Sequence, residues 1–235
     1  MSDLNKYDFV VSNFVQIEEQ LINCLNYIPF IEENKAVISP KFIPIIVESC
    51  GLIDSVFKEL SNSNNERLTF KKYYELHNER LDLEKNKSLF LISPLKVLNP
   101  FQDWGNIQPV WWQAYNNLKH NRLDNYHFAN YTNAILSLCG LHQLIARCKM
   151  FLGSIIRYGW IDFNDTEMPE QISSVIGLGS LMNNPPDIAV ESKLFLSSAV
   201  EDLFDFVNDE NEFELNYNIP GISSRVRYLM SVNDI

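Results

Sequence analysis

Residues 111–122 read WWQAYNNLKHNR, and their spacing decides how the chain is built. Trp111, Ala114, Tyr115 and Leu118 fall at the i, i+3, i+4, i+7 positions of a helix with one buried face. Asn116 and His120 are four apart, so the same helix sets both on one face, one turn apart. Lys119 and Arg122 flank that face with positive charge. An amide, an imidazole and two cations on the polar side of a buried helix suit a phosphate or another polar substrate. The same residues also fit a core helix whose polar members form its wet side.

Working outward, Pro109 opens this helix, and NRLDN at 121–125 breaks or kinks it. A long helix is then expected from about His127 to about Tyr158, with Phe128, Tyr131, Ile135, Leu138, Leu141, Ile145, Cys148 and Leu152 as its stripe. Upstream, 4–28 shows Val10, Phe14, Ile17, Leu21, Cys24 and Ile28 at alternating spacings of three and four. Ser39–Pro40 reads as an N-cap and first helical residue, although Pro44 would forfeit a backbone bond and moves the regular start nearer Ile43. Thr69 is placed to cap a third helix running to about Leu83. His77 lies on that helix's apolar stripe and reads as a satisfied core or boundary histidine. SLFLIS at 88–93 reads as a strand or an extended buried segment. Between Pro94, Pro100 and Pro109 the chain is irregular, with Phe101 and Trp104 as core plugs.

Composition bounds the class. The 235 residues are 46% hydrophobic and 12% aromatic, with 8 glycines, which describes a folded, helix-rich protein. The expected fold is mainly all-α: an up-and-down bundle of four to five main helices with a small mixed C-terminal appendage. Residues 1–159 would form the bundle and 160–235 the appendage. The net charge is −11, and residues 160–215 carry thirteen acids against one base. Outside them the chain is nearly neutral. That balance excludes broad nonspecific duplex binding but leaves room for a local phosphate site. In the tail, 188–196 reads as strand-like, 199–207 as a short acidic helix, and Pro220–Gly221 as a turn. Cys24, Cys50, Cys139 and Cys148 lie in apolar helical patterns without CxxC spacing, so they read as free thiols in a reducing, cytoplasmic setting. The apolar run 134–156 is interrupted by His142, Gln143, Arg147 and Lys149, which describes a core helix and not a membrane span.

Several chemistries find no motif. His77, His120, His127 and His142 lack HExxH spacing and the cysteines form no thiolate cluster, so no metal site and no cofactor are expected. No GxxxxGK[ST] or GxGxxG loop is present. What remains is the region 115–127. Together with LNPFQDW at 98–104 and HFANYTNAILSLCGLHQLI at 127–145, it resembles the bacterial HEPN-like helical proteins. In that family a W-x-x-Y-N-x-x-K-H-x-R core precedes an ANxxNAL helix. The matching residues are Trp112, Tyr115, Asn116, Lys119, His120 and Arg122, then Ala129, Asn130, Asn133 and Ala134, with Ile135 where leucine is frequent. The resemblance covers roughly residues 5–155.

The resemblance implies metal-independent RNA cleavage across a homodimer interface, in toxin–antitoxin or phage-defence systems. RNA or a nucleotide would be the ligand, and an antitoxin or other protein a partner. Histidine can give and take a proton near neutral pH, and arginine can steady phosphorane charge. Carried over, His120, Asn116 and Arg122 are the candidate catalytic residues, with Tyr115, Lys119 and His127 for substrate binding. Tyr115 stands where the superfamily's Arg-to-His pair has its arginine, so Lys119 or Arg122 would have to supply the charge. Arg122–His127 is a second, formal R-x4-H match. The competing reading is a non-catalytic HEPN-like module that binds a nucleotide, RNA or a protein; a small-molecule enzyme of other chemistry stands third.

Overall fold

The computed structural model describes residues 5–62, 68–161, 188–198, 204–206, 213–215 and 222–232. The protein is mainly helical with a small antiparallel sheet. Its described helices are α1 (Lys6–Leu25), α2 (Phe42–Leu60), α3 (Phe70–Leu81), α4 (Val110–His120), α5 (Tyr131–Arg147), α6 (Leu152–Arg157) and α7 (Ser224–Ser231). Among the described residues no single helix is long and apolar enough to cross a membrane. The chain forms two compact units that interleave in sequence. One comprises 12–85 and 99–144; the other comprises 1–11, 86–98 and 145–235.

The first unit holds the motif. α2 starts at Phe42, after the Ser39 hydroxyl accepts from the Lys41 amide (3.2 Å) and the Ser39 carbonyl accepts from the Phe42 amide (3.0 Å). Pro44 therefore falls in the first turn, where a missing N–H costs nothing. Thr69 caps α3, its hydroxyl accepting from the Lys72 amide at 3.2 Å. The core is rich in aromatic contacts. Phe42 stacks on Tyr131 at 4.8 Å, Phe57 on Tyr73 at 4.8 Å, and Phe101 meets Trp104 edge-on at 5.0 Å. Phe101 and Trp104 are the core plugs expected of the irregular segment. Two of the core's indoles are satisfied: Trp104 donates to Asn78 Oδ1 (3.1 Å) and Trp111 to the Pro100 carbonyl (2.6 Å). A Cβ on Gly105 would lie 2.5 Å from the Tyr74 ring, so a larger residue there would have to displace that ring. His77 is buried, hydrogen-bonded through Nε2 to the Ser61 hydroxyl (2.8 Å) and stacked on Phe57, a satisfied core histidine.

In the second unit, β1 (Ser88–Phe90) pairs antiparallel with β2 (Lys96–Leu98) and with β4 (Phe195–Ser198), and β4 pairs with β3 (Ala189–Glu191). The strand order is β2-β1-β4-β3. Leu89, Leu196, Ile222, Val226 and Met230 form an apolar cluster joining sheet and α7. The buried Ser88 and Ser197 hydroxyls satisfy one another at 2.6 Å. β5 (Phe204–Phe206) and β6 (Phe213–Leu215) make a separate antiparallel pair.

Two expectations are corrected. The helix expected over 199–207 is a strand at 204–206, and its other residues lie outside the described ones. The single helix expected from about His127 to Tyr158 is interrupted. A 3-10 turn occupies Tyr126–Phe128, α5 begins at Tyr131, and Cys148 leaves the helix with extended angles (φ −93°, ψ 107°) before α6. No proline or glycine marks that break. Tertiary contacts outweigh the local pattern: Asp8 accepts from the Ser154 hydroxyl and pairs with Arg157, both at 2.6 Å, and Tyr7 packs edge-on against Phe151.

His142 is fully buried on α5 beside the Phe14 ring, and burial lowers its pKa to about 3. The folded chain therefore keeps His142 neutral while the unfolded chain takes up a proton below about pH 6.5. Stability is full above that pH and falls as pH drops toward 3, by at most about 1.4 kcal/mol per pH unit for this group. Burial lowers the pKa of His77 as well, so it acts with the same sign. Urea denaturation between pH 6.5 and 5, above the carboxylate range, should show this loss. His142→Leu should flatten the slope, leaving the part due to His77.

Candidate functional site

α4 buries Trp111, Trp112, Ala114, Tyr115 and Leu118, which fixes which residues it can present outward. α2 packs along it, with the Cys50 thiol 4.0 Å from the Trp111 carbonyl. The N-terminal turn of α3 reaches α4 through Phe70, whose ring lies 4.4 Å from that of Trp112. Where α2, the start of α3 and α4 diverge, they enclose an open cleft of about 540 Å³.

The α4 wall of this cleft carries Tyr115, Asn116, Lys119 and His120. The Lys119 ammonium donates to the Tyr115 hydroxyl at 3.0 Å and sits 5.1 Å from the centroid of the same ring. Tyr115 therefore steers a cation, which accounts for a tyrosine one turn before the lysine. Lys119 and His120 are exposed in the last turn of the helix, and Asn116 is half-buried. The α2 wall supplies Asp54 and Lys58, an i, i+4 pair at 2.6 Å. The other Asp54 oxygen accepts from the Tyr73 hydroxyl at 2.7 Å. Burial, and then that bond, raise the Tyr73 phenol pKa well above its usual value. Thr69, the cap of α3, and Gln108, which precedes α4, complete the polar lining.

Four of the six residues singled out in the sequence thus share one cleft, and two do not line it. Arg122 is exposed beyond the helix end and donates from Nε to the Leu118 carbonyl (3.3 Å), capping the last turn of α4. His127 is exposed in the 3-10 turn, between the Tyr126 and Phe128 rings. The NRLDN break is an Asx-type turn in which the Asn121 amide holds the Asp124 carboxylate. Asp54, Lys58, Thr69 and Gln108 were missed as site residues. The Asp54–Lys58 spacing was visible, but only the fold brings α2 against α4. Among the described residues no group of three or more His, Cys, Asp and Glu side chains is gathered as a metal site. No family model, curated protein or solved structure matches this chain.

Phe70 is the floor of the cleft and is almost wholly buried. Phe70→Ala should cost about 3–5 kcal/mol in urea denaturation. A loss below about 1 kcal/mol would mean that α3 and α4 are not locked together through this ring.

Proposed function

We propose that this chain is a HEPN-like protein, an up-and-down helical bundle with a mixed C-terminal appendage, whose α4 cleft binds RNA and cleaves it without a metal. The observation that carries this reading is the convergence of Asn116, Lys119 and His120 with Lys58 from another helix on one open cleft. In this reading His120 takes the proton of a ribose 2′-hydroxyl as the oxygen attacks the adjacent phosphorus, and the P–O5′ bond breaks to leave a 2′,3′-cyclic phosphate and a 5′-hydroxyl whose proton comes from solvent. Lys119 and Lys58 face the charge that gathers on the phosphorane, and Asn116 holds a non-bridging or sugar oxygen. Lysine takes the part that arginine plays in the superfamily's motif, as a point charge and not a bidentate fork. A two-fold pair of chains would bring two motifs together. A role in toxin–antitoxin or phage-defence systems follows from the resemblance, and a cytoplasmic setting from the four free cysteines.

One observation favours a second reading. Arg122 does not line the cleft and is occupied as a helix cap. A HEPN-like module that binds a nucleotide, RNA or a protein without cleaving needs no such arginine.

Purified protein incubated with mixed RNA in EDTA separates the two. Cleavage should proceed, and His120→Ala should slow it by about 100-fold or more. His127→Ala and Arg122→Ala should be mild, because neither side chain lines the cleft. Cleavage that stops in EDTA, or that survives His120→Ala, would overturn the mechanism. RNA binding without cleavage would select the second reading.

A further inference from the structure

Asp54 is, among the described residues, the single acid lining a cleft that otherwise offers Lys58, Lys119 and His120. An acid on the wall of a phosphate site weakens it unless the charge serves a purpose. This carboxylate cannot swing away, because one oxygen is held by the Tyr73 hydroxyl (2.7 Å) and the other by the Lys58 ammonium (2.6 Å). Asp54 thus cancels one of the two lysine charges and leaves the lysine–carboxylate set at +1. Its repulsion offsets the lysines' attraction in proportion to the charge of the ligand.

We propose that Asp54 is a specificity-determining residue that shifts the cleft's selectivity away from a terminal phosphomonoester, with close to two negative charges, and toward an internal phosphodiester, with one. The inference rests on the cleft being the phosphate site proposed above. A monoester carries close to two charges above its second pKa, near ~6. The repulsion from Asp54 scales with the charge of the ligand, so it penalises the monoester twice as heavily. At separations of several ångströms in a partly solvated cleft the penalty is on the order of 3–10-fold in affinity per ligand charge. Asp54 thus cuts the advantage that free nucleotides and RNA ends would draw from their extra charge over the chain's interior.

The test is calorimetric titration of the full chain at pH 8 and low salt with two probes. Thymidylyl-(3′→5′)-deoxyadenosine has one internal phosphodiester and no 2′-hydroxyl, so it binds without being cleaved. Deoxyadenosine 5′-monophosphate carries the terminal dianion. Asp54→Asn should tighten both, the monoester by about the square of the diester's factor. The diester's affinity relative to the monoester's should therefore fall roughly 3–10-fold. Lys58→Gln leaves Asp54 in place and should weaken the monoester more than the diester. Asp54→Ser, which removes the same charge, takes the place of Asp54→Asn if that variant does not fold by circular dichroism. Glu33→Gln, an equal change in net charge away from the cleft, should alter neither affinity. Equal factors for the two probes on removal of the Asp54 charge would overturn the role of Asp54 while leaving the phosphate site standing. Failure of folded wild-type protein to bind the dinucleotide at all would overturn both.

Discussion

The packing of Phe70 against α4 is the contact on which the rest of the site depends. Its ring lies 4.4 Å from that of Trp112 and edge-on to Trp104 and Trp111 at 5.3 and 5.8 Å. Aromatic pairs in these geometries contribute beyond the area they bury. They also fix rotation: with Trp111, Trp112, Tyr115 and Leu118 turned inward, the 100° step of the helix leaves Asn116, Lys119 and His120 no choice of face. Because Phe70 directly follows the Thr69 cap, the same contact sets the start of α3 beside α4. Core packing and site geometry are therefore one constraint, met by neighbouring residues on the same short segments.

Charge is handled locally in this arrangement. The chain is acidic overall, yet the described cleft gathers Lys58, Lys119 and His120 against Asp54. Each lysine is tethered, Lys119 to the Tyr115 hydroxyl and Lys58 to Asp54. A tethered ammonium loses less side-chain entropy on meeting a phosphate than a free one does. The tethers come from residues that also belong to the wall, so preorganisation needs no further shell.

Much of this was legible in the sequence because the signals are local. Helix spacing located α1, α2 and α4, Thr69 announced its cap, and Pro109 the start of α4. The i, i+4 relation of Asn116 and His120 placed both on the cleft wall. What was not legible is long-range. The run 88–93 could be read as extended, but nothing in it says that Leu89 and Phe90 pair with Leu196 and Phe195. The acidity of the tail says where charges lie, not which segments pack together, and the strand at 204–206 is hidden in an acidic stretch that reads equally well as helix. The break at Cys148 has no local breaker; Asp8, Ser154 and Arg157 supply the competing bonds. Asp54 and Lys58 looked like an ordinary surface pair on α2 until that helix met α4. Arg122 shows the reverse error, since proximity in sequence to His120 does not place it on the same wall.

The most direct measurement of whether the cleft is the binding site is an amide chemical-shift titration of isotopically labelled protein with the uncleavable dinucleotide. Resonances of Thr69, Asn116, Lys119 and His120, with the side-chain amide of Gln108, should move together along one saturation curve. The Arg122 Nε and the His127 ring should stay in place. Shifts centred on 121–128, with Thr69 and Asn116 still, would contradict the assignment of the site to this cleft.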